Sequence, residues 1–254
     1  MTRVKLINSL FIVVVCGAFL PVYADDIFTD NTFNLTSNYT ITTFTAGGAT
    51  VTPTQCATCG NPNGAGNTAL QISMSFPAGT STADTGYVNN TFSYDPLVQG
   101  AINSINASVD KDLFLNATVF PASAGNTFRP LIEQGGVFFL AAIPGVGLTG
   151  ITAPGTTGYE TLSQTGLVAT DFVSFDFTTG LFTSTNPNFD GGPMLFGLAQ
   201  VSGSNAASTL TADYDNLNLH LVTTAVPEPS SLLLFGGVLV ALLVISRRKL
   251  AFQK

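Results

Sequence analysis

The sequence predicts an all-β fold, an antiparallel β-sandwich, over residues 25–222. Short segments in which apolar and polar residues alternate recur through this region, and clusters of Gly, Pro and Asn separate them. No stretch between them has the spacing of an amphipathic helix. With 45% apolar residues, about 200 residues can bury a full core as one domain.

Individual strands follow from the alternation. Residues 70–76 and 173–177 each place their apolar side chains on one face of a strand. Residues 105–109 and 113–119 predict a hairpin whose turn is formed by residues 110–112. Residues 128–143 predict one strand that is buried on both faces or that passes beneath a loop.

The last strand changes its inward face. Apolar residues occupy even positions over 210–214 and odd positions over 217–221. A β-bulge near Asp215 and Asn216 is expected, because one extra residue restores a common inward face.

Both ends of the chain carry targeting patterns. Residues 1–24 have the cations, apolar core and small residues of a secretory signal, so the mature chain is expected to begin at Asp25 after cleavage by signal peptidase. At the other end, we expect a linker over 223–229, a transmembrane helix over 230–246 and a basic cytoplasmic tail over 247–254. The uncharged run 232–245 alone is about 21 Å long as a helix, so flanking residues are needed to complete a short span.

The tail also contains a short motif. Pro227, Glu228 and Pro229 precede the apolar run, and Arg247 and Arg248 follow it. This order resembles the PEP-CTERM sorting signal of bacterial exported proteins. The resemblance implies recognition by an exosortase, a membrane-embedded transpeptidase, and cleavage near the Pro-Glu-Pro triplet. It also implies a single-pass intermediate in the inner membrane, followed by delivery to the cell surface or the extracellular polysaccharide matrix.

Three short segments resemble strands of the jelly-roll modules that often precede such tails. They are residues 28–33, 132–136 and 214–217. The resemblance implies that the predicted sandwich is jelly-roll-like.

Charge is distributed unevenly along the chain. Between Asp25 and Glu228 there are 15 acidic residues and two basic ones, Lys111 and Arg129, so this region has a net charge of −13. Nucleic acid and anionic lipid are therefore not expected partners of the domain.

Cys56 and Cys59 are the cysteine pair of the mature chain, and we expect them to form a disulfide in an oxidising exported compartment. A redox motif would require a βαβ context, which the sequence lacks. A zinc site would require further ligands, whereas the chain has a single histidine, His220.

Carboxylates suggest a structural calcium ion. Asp25 and Asp26 begin the mature chain, and Asp213 and Asp215 lie on the last strand. If the first and last strands are neighbours, these four side chains could supply the oxygen ligands that calcium prefers. Solvated turn carboxylates are the alternative interpretation.

Three functions remain open. The first is a non-enzymatic surface or matrix protein. The second is an exopolysaccharide-binding module, for which Tyr39, Tyr87, Tyr94 and Tyr159 are conceivable contacts. The third is a secreted hydrolase, which is disfavoured because His220 is the single histidine and because Glu133 and Glu160 are the domain's only glutamates before the tail.

Overall fold

The computed structural model of the protein describes residues 25–61, 67–116, 124–141 and 155–224, together with Gly236. The predicted signal peptide, the sorting motif and the predicted membrane helix apart from Gly236 lie outside these residues. Among the helices within the described ranges, none combines the length and apolar character needed to cross a membrane. The described strands between Asp25 and Thr223 form one compact unit.

The described residues form two antiparallel β-sheets of seven strands each. The first sheet has the order β10-β6-β14-β4-β3, and β1 and β9 are added beside β14 and β6 respectively. Its strands are β1 (Asp26–Asp30), β3 (Thr50–Cys56), β4 (Ala69–Phe76), β6 (Ile102–Asn116), β9 (Gly155–Thr156), β10 (Glu160–Leu167) and β14 (Ser208–Thr223).

The second sheet has the order β12-β11-β8-β7-β13-β5-β2. Its strands are β2 (Tyr39–Ala46), β5 (Ser81–Tyr94), β7 (Ala124–Gln134), β8 (Val137–Ala141), β11 (Phe172–Asp176), β12 (Leu181–Phe182) and β13 (Met194–Ser204). Within the described ranges up to Thr224, helix is confined to single turns at Leu35–Asn38, Pro96–Gln99 and Ala169–Asp171. The predicted all-β antiparallel sandwich is therefore confirmed.

The main core lies between the two sheets. Alternate residues of β4, β6 and β14 contribute buried apolar side chains from the first sheet, and β5, β7 and β13 contribute them from the second. The strand predicted over residues 70–76 is confirmed, since Leu70, Ile72, Met74 and Phe76 are all in this core.

The predicted bulge on the last strand is present. The pairing of β14 with β6 shifts register between Asp215 and Asn218. Asn216 has a φ of 52°, in the left-handed region, which accommodates the extra residue. As a result, Tyr214 and Leu217 both face the core.

Two sequence predictions were wrong about where turns fall. Residues 110–112 do not form a turn, because β6 runs without interruption through Lys111, which faces the core and is 1% exposed. Conversely, the strand predicted over 128–143 is interrupted by Gly135 and Gly136, whose φ values of 62° and 84° form the tight turn between β7 and β8.

The strand predicted around residues 173–177 is present, but its apolar face points away from the main core. Phe175 and Phe177 belong to a second, smaller cluster with Val88, Leu131 and Leu140. Phe172 packs in the main core instead. The outer face of the second sheet is therefore partly apolar, and it carries the candidate site.

Candidate functional site

A cleft of ≈ 570 Å³ opens on the outer face of the second sheet. It lies between β2 at one side and the β7–β8 turn and the end of β11 at the other. Its lining residues are Thr42, Thr43, Gly136, Val137, Phe138, Phe175, Asp176, Phe177 and Thr178.

The cleft depends on the position of Phe177, which is buried against β5. A Cβ added at Gly86 would lie 2.7 Å from Phe177 Cζ and 3.1 Å from Thr42 Oγ1. The absence of a side chain at Gly86 thus leaves the space that the Phe177 ring occupies.

The turn after β11 is held by Asp176. Its carboxylate accepts hydrogen bonds from the Thr178 amide at 2.7 Å, from the Thr178 hydroxyl, and from Thr179 Oγ1 at 2.9 Å. These hydrogen bonds, the Thr178 hydroxyl first, lower the pKa of Asp176. The carboxylate therefore stays negatively charged at the rim of the cleft.

Phenylalanine rings meet edge to face on the floor of the cleft. The Phe138 and Phe177 ring centroids are 5.3 Å apart at an interplanar angle of 87°. Phe175 and Phe177 are 4.7 Å apart at 81°. Edge-to-face pairs of this kind stabilise the cluster, and they create an angular apolar floor rather than a flat platform.

One polar group in the cleft lacks a partner. Thr42 Oγ1 is buried and has no hydrogen-bond partner among the described residues. A buried hydroxyl without a partner carries a desolvation cost of roughly 1–3 kcal/mol.

A buried carboxylate, Asp84, lies elsewhere on the same face. Burial raises the pKa of Asp84 to about 6, and the Ser202 amide at 3.0 Å and the charge of Arg129 oppose this rise. The Arg129 guanidinium lies 5.0 Å from the centre of the Phe182 ring. Asp84 and Arg129 do not line the cleft.

The core contains a buried polar network on the other side of the second sheet. Lys111 Nζ donates to the Asn126 carbonyl oxygen at 3.0 Å and lies 5.7 Å from the centre of the Tyr214 ring. Tyr214 Oη donates to Asn126 Oδ1 at 3.0 Å, and Asn126 Nδ2 donates to Gln200 and Ser202 at 2.5 and 2.7 Å. Burial lowers the pKa of Lys111 to about 7.

Cys56 and Cys59 are joined as a disulfide in the structure, with their Cα atoms 5.5 Å apart. The next residues cover two carboxylates of the first sheet. The Asn61 amide donates to Asp215 at 2.7 Å, and Asn61 Nδ2 donates to Asp110 at 3.0 Å. The disulfide thus begins a segment that satisfies buried acidic groups.

These two carboxylates differ in their pKa. Burial raises the pKa of Asp215, and the charges of Asp110 and Asp30 contribute to the rise while amide hydrogen bonds oppose it. For Asp110, burial is outweighed by hydrogen bonds from Thr161, Asn216 and Asn61, so its pKa is lowered.

The four carboxylates of the predicted calcium site do not meet. β1 pairs with β14 as predicted, but the register places Asp26 opposite Leu221. Asp215 lies six positions earlier on β14, about 20 Å away at the rise of a strand, and Asp213 lies farther still. Within the described ranges, no group of three or more His, Cys, Asp or Glu side chains is arranged to hold a metal ion.

The other residues considered for chemistry have structural contacts. His220 Nε2 lies 3.1 Å from an Asp25 carboxylate oxygen. Glu133 accepts a 2.5 Å hydrogen bond from the Gly136 amide, whereas Glu160 is exposed on the other sheet.

The tyrosines predicted as sugar contacts are mostly inaccessible. Tyr39, Tyr87 and Tyr94 are buried, so for these three residues the prediction was wrong. Tyr159 is partly buried, and its hydroxyl donates to the Cys59 carbonyl oxygen.

The described domain is thus an antiparallel β-sandwich protein with a cleft on the outer face of one sheet. Residues 225–249 match the family model of the PEP-CTERM protein-sorting motif. The chain therefore carries this sorting signal, which indicates an exported protein that is sorted to the cell surface. Pro227, Glu228, Pro229, Arg247 and Arg248 all lie within the match, and they lie outside the described residues.

A search of curated protein sequences finds no significant match to the chain. Among solved structures, a family 11 carbohydrate-binding module from Clostridium thermocellum, in complex with a β-1,3-1,4-mixed-linked tetrasaccharide, is similar at 12% identity and a TM-score of 0.39. The alignment covers 80% of this chain and 98% of that one. The mannan-recognising carbohydrate-binding module TmCBM27 has 13% identity and a TM-score of 0.35, with coverages of 79% and 99%. Winged bean acidic lectin, in complex with methyl-α-D-galactose, has 11% identity and a TM-score of 0.35, with coverages of 79% and 100%.

The residues that form the cleft were not singled out as a site by sequence reasoning. Phe175 and Phe177 were assigned to a strand face, and Gly86 and Thr42 were not distinguished from other strand residues. One signal was present: a glycine in the interior of a strand often marks a close approach by another part of the chain.

Proposed function

We propose that this protein is an exported, non-enzymatic component of the cell surface or extracellular matrix, and that an exosortase processes its C-terminal signal. The match of residues 225–249 to the PEP-CTERM motif is the observation that carries this proposal. Signal peptidase releases the N-terminus after Ala24. The tail then holds the protein in the inner membrane as a single-pass intermediate until cleavage near Pro227–Glu228–Pro229.

The contacts within the domain support a structural role. A hydrolase would use His220 or Glu133 as its base or acid. In this domain His220 lies close to Asp25, and Glu133 accepts a hydrogen bond from the β7–β8 turn. Glu133 and Glu160 lie on different sheets, so they do not form the facing carboxylate pair of a glycosidase. The domain is accordingly the cargo that the sorting signal delivers.

Substitution of the motif tests the sorting proposal. A Glu228→Ala, Pro229→Ala double variant and the unchanged protein are expressed in a host with its exosortase and in the same host without it. We expect the unchanged protein to be shortened and to leave the inner membrane only where exosortase is present. The double variant should stay at full length in the membrane fraction in both hosts.

A matched control is Glu133→Ala, which removes a glutamate from the folded domain and leaves the tail unchanged. It should be processed like the unchanged protein. Identical size and location of the unchanged protein in both hosts would refute the proposed processing.

The cleft favours a second function, binding of exopolysaccharide. It combines an apolar floor with threonine side chains at its edge, of which Thr43 is exposed. Ligand sites of this kind pair an apolar surface with a few polar groups that orient the ligand.

Co-sedimentation with the exopolysaccharide of the producing cell tests this function. Phe138→Ala should weaken binding, whereas Thr45→Val, at an exposed position of β2 outside the cleft, should not. Equal binding by both variants would exclude the cleft as the binding site. A parallel sample containing a chelator tests whether binding requires a cation such as calcium, because binding would then be lost.

A further inference from the structure

The floor of the cleft is poorly suited to stacking against a flat sugar ring. Stacking requires an aromatic face that is open to solvent, but Phe175 and Phe177 are only 2% and 8% exposed. Phe138 meets Phe177 at 87°, so these two rings present an angle between them instead of a common plane. Such a floor accepts a compact apolar group better than an extended ring face.

The rim restricts the charge of the ligand. The Asp176 carboxylate lies at the rim, and the region between Asp25 and Glu228 has two basic residues against 15 acidic ones, a net charge of −13. Of the two basic residues, Lys111 is in the core and Arg129 lies over Phe182, outside the cleft lining. An anionic ligand is therefore repelled, and a neutral one is favoured.

The polar groups of the rim favour a hydroxylated ligand. Thr42, Thr43 and Thr178 line the cleft, and the side chain of Thr43 is exposed. A ligand that inserts an apolar group on the phenylalanine floor and places a hydroxyl beside Thr43 matches both surfaces. The volume of ≈ 570 Å³ is within the usual range for small-molecule sites, so one or two sugar residues fit.

We propose that the cleft binds a neutral glycan through a small apolar substituent, the acetyl group of an O-acetylated sugar or the methyl group of a 6-deoxy sugar. This inference rests on the proposed exopolysaccharide binding and specifies which part of the polymer the cleft recognises. The substituent lies against Phe138, Phe175 and Phe177, and adjacent sugar hydroxyls bond to the threonine rim.

Two matched pairs of probes test the inference with the full-length protein. The first pair is the exopolysaccharide of the producing cell before and after removal of O-acetyl groups with mild base. The second is methyl L-fucoside and methyl L-galactoside, which differ by one hydroxyl at C6. We expect the acetylated polymer, or the fucoside, to bind at least tenfold more tightly than its counterpart, because one small apolar group in an apolar pocket gives discrimination of this order.

Variants assign the discrimination to the cleft. Phe138→Ala should abolish the preference. Thr43→Val, which retains the shape of an exposed side chain of the lining, should weaken the binding of both probes in the preferred pair by removing a hydroxyl. Thr45→Val serves as the matched control and should behave as the unchanged protein.

The outcomes separate the inference from the proposed function. If the protein binds the probes but neither pair shows a tenfold preference, the inference is wrong and the proposed exopolysaccharide binding stands. A preference that survives Phe138→Ala also overturns it, because the substituent then lies elsewhere. No binding to any of the four probes overturns both.

Discussion

The Phe177 ring lies in the space that a side chain at Gly86 would fill, since a Cβ there would be 2.7 Å from Phe177 Cζ. This contact joins the turn after β11 to the middle of β5. It buries an aromatic ring on the outer face of the sheet. The sequence alternation assigns Phe177 to one face of its strand but does not predict this contact. The floor of the cleft follows from this contact.

Gly86→Ala should displace Phe177 and destabilise the protein by about 1–3 kcal/mol, because a close-packed site cannot absorb another methyl group. Urea unfolding measures the change. Gly125→Ala is the matched control, since a Cβ at Gly125 meets nothing within 4 Å and β7 belongs to the same sheet. Equal stability of the two variants would contradict the proposed contact.

The buried Lys111 should make stability depend on pH. Burial lowers its pKa to about 7, whereas the ordinary value is 10.5. Between these values the unfolded chain holds the proton more strongly than the folded one, so the free energy of unfolding should rise with pH. We expect a rise of about 1 kcal/mol per pH unit from pH 7.5 to 9.5, measured by urea unfolding.

Lys111→Met should remove this dependence, because methionine carries no titratable group. Leu113→Met, on the same face of β6, is the control and should retain the slope of the unchanged protein. If Lys111→Met has that slope as well, the dependence arises from another group.

Opening of the Cys56–Cys59 disulfide should loosen the Gly60–Asn61 segment. A disulfide across so short a loop contributes about 2 kcal/mol in the chain-entropy model. We expect Cys56→Ser with Cys59→Ser to lower stability by that amount and to accelerate hydrogen exchange at the Asn61 amide, which donates to Asp215 at 2.7 Å. Unchanged protection of the Asn61 amide in the double variant would show that Asp215 holds the segment without the disulfide.

The bulge on β14 should tolerate glycine better than valine at Asn216. The φ of 52° is open to glycine but strained for a β-branched residue. Both substitutions lose the 2.8 Å hydrogen bond from Asn216 Nδ2 to Asp110. Asn216→Val should therefore be less stable than Asn216→Gly by about 1–2 kcal/mol in thermal unfolding. Equal midpoints would mean that the bulge does not need the left-handed conformation.

Local patterns predicted much of the first sheet correctly. The alternation at 70–76 and the change of inward face between Tyr214 and Leu217 both report directly which side chains are buried, and the structure agrees with both. The same rule applied to residues 105–115 also indicates one continuous strand, because the apolar residues occupy odd positions both before and after Lys111. The predicted turn at residues 110–112 is wrong because Lys111 faces the core, which is rare for a lysine.

By itself, the sequence determined the all-β class, the bulge and the sorting signal at residues 225–249. These features depend on residue order over a few positions, which is fully visible in the chain. Only the tertiary structure decided that Asp25 and Asp26 lie far from Asp213 and Asp215, and that Phe177 meets Gly86 to form a cleft. Alternation assigns a side chain to one face of its strand, but strand order and register decide what that face meets.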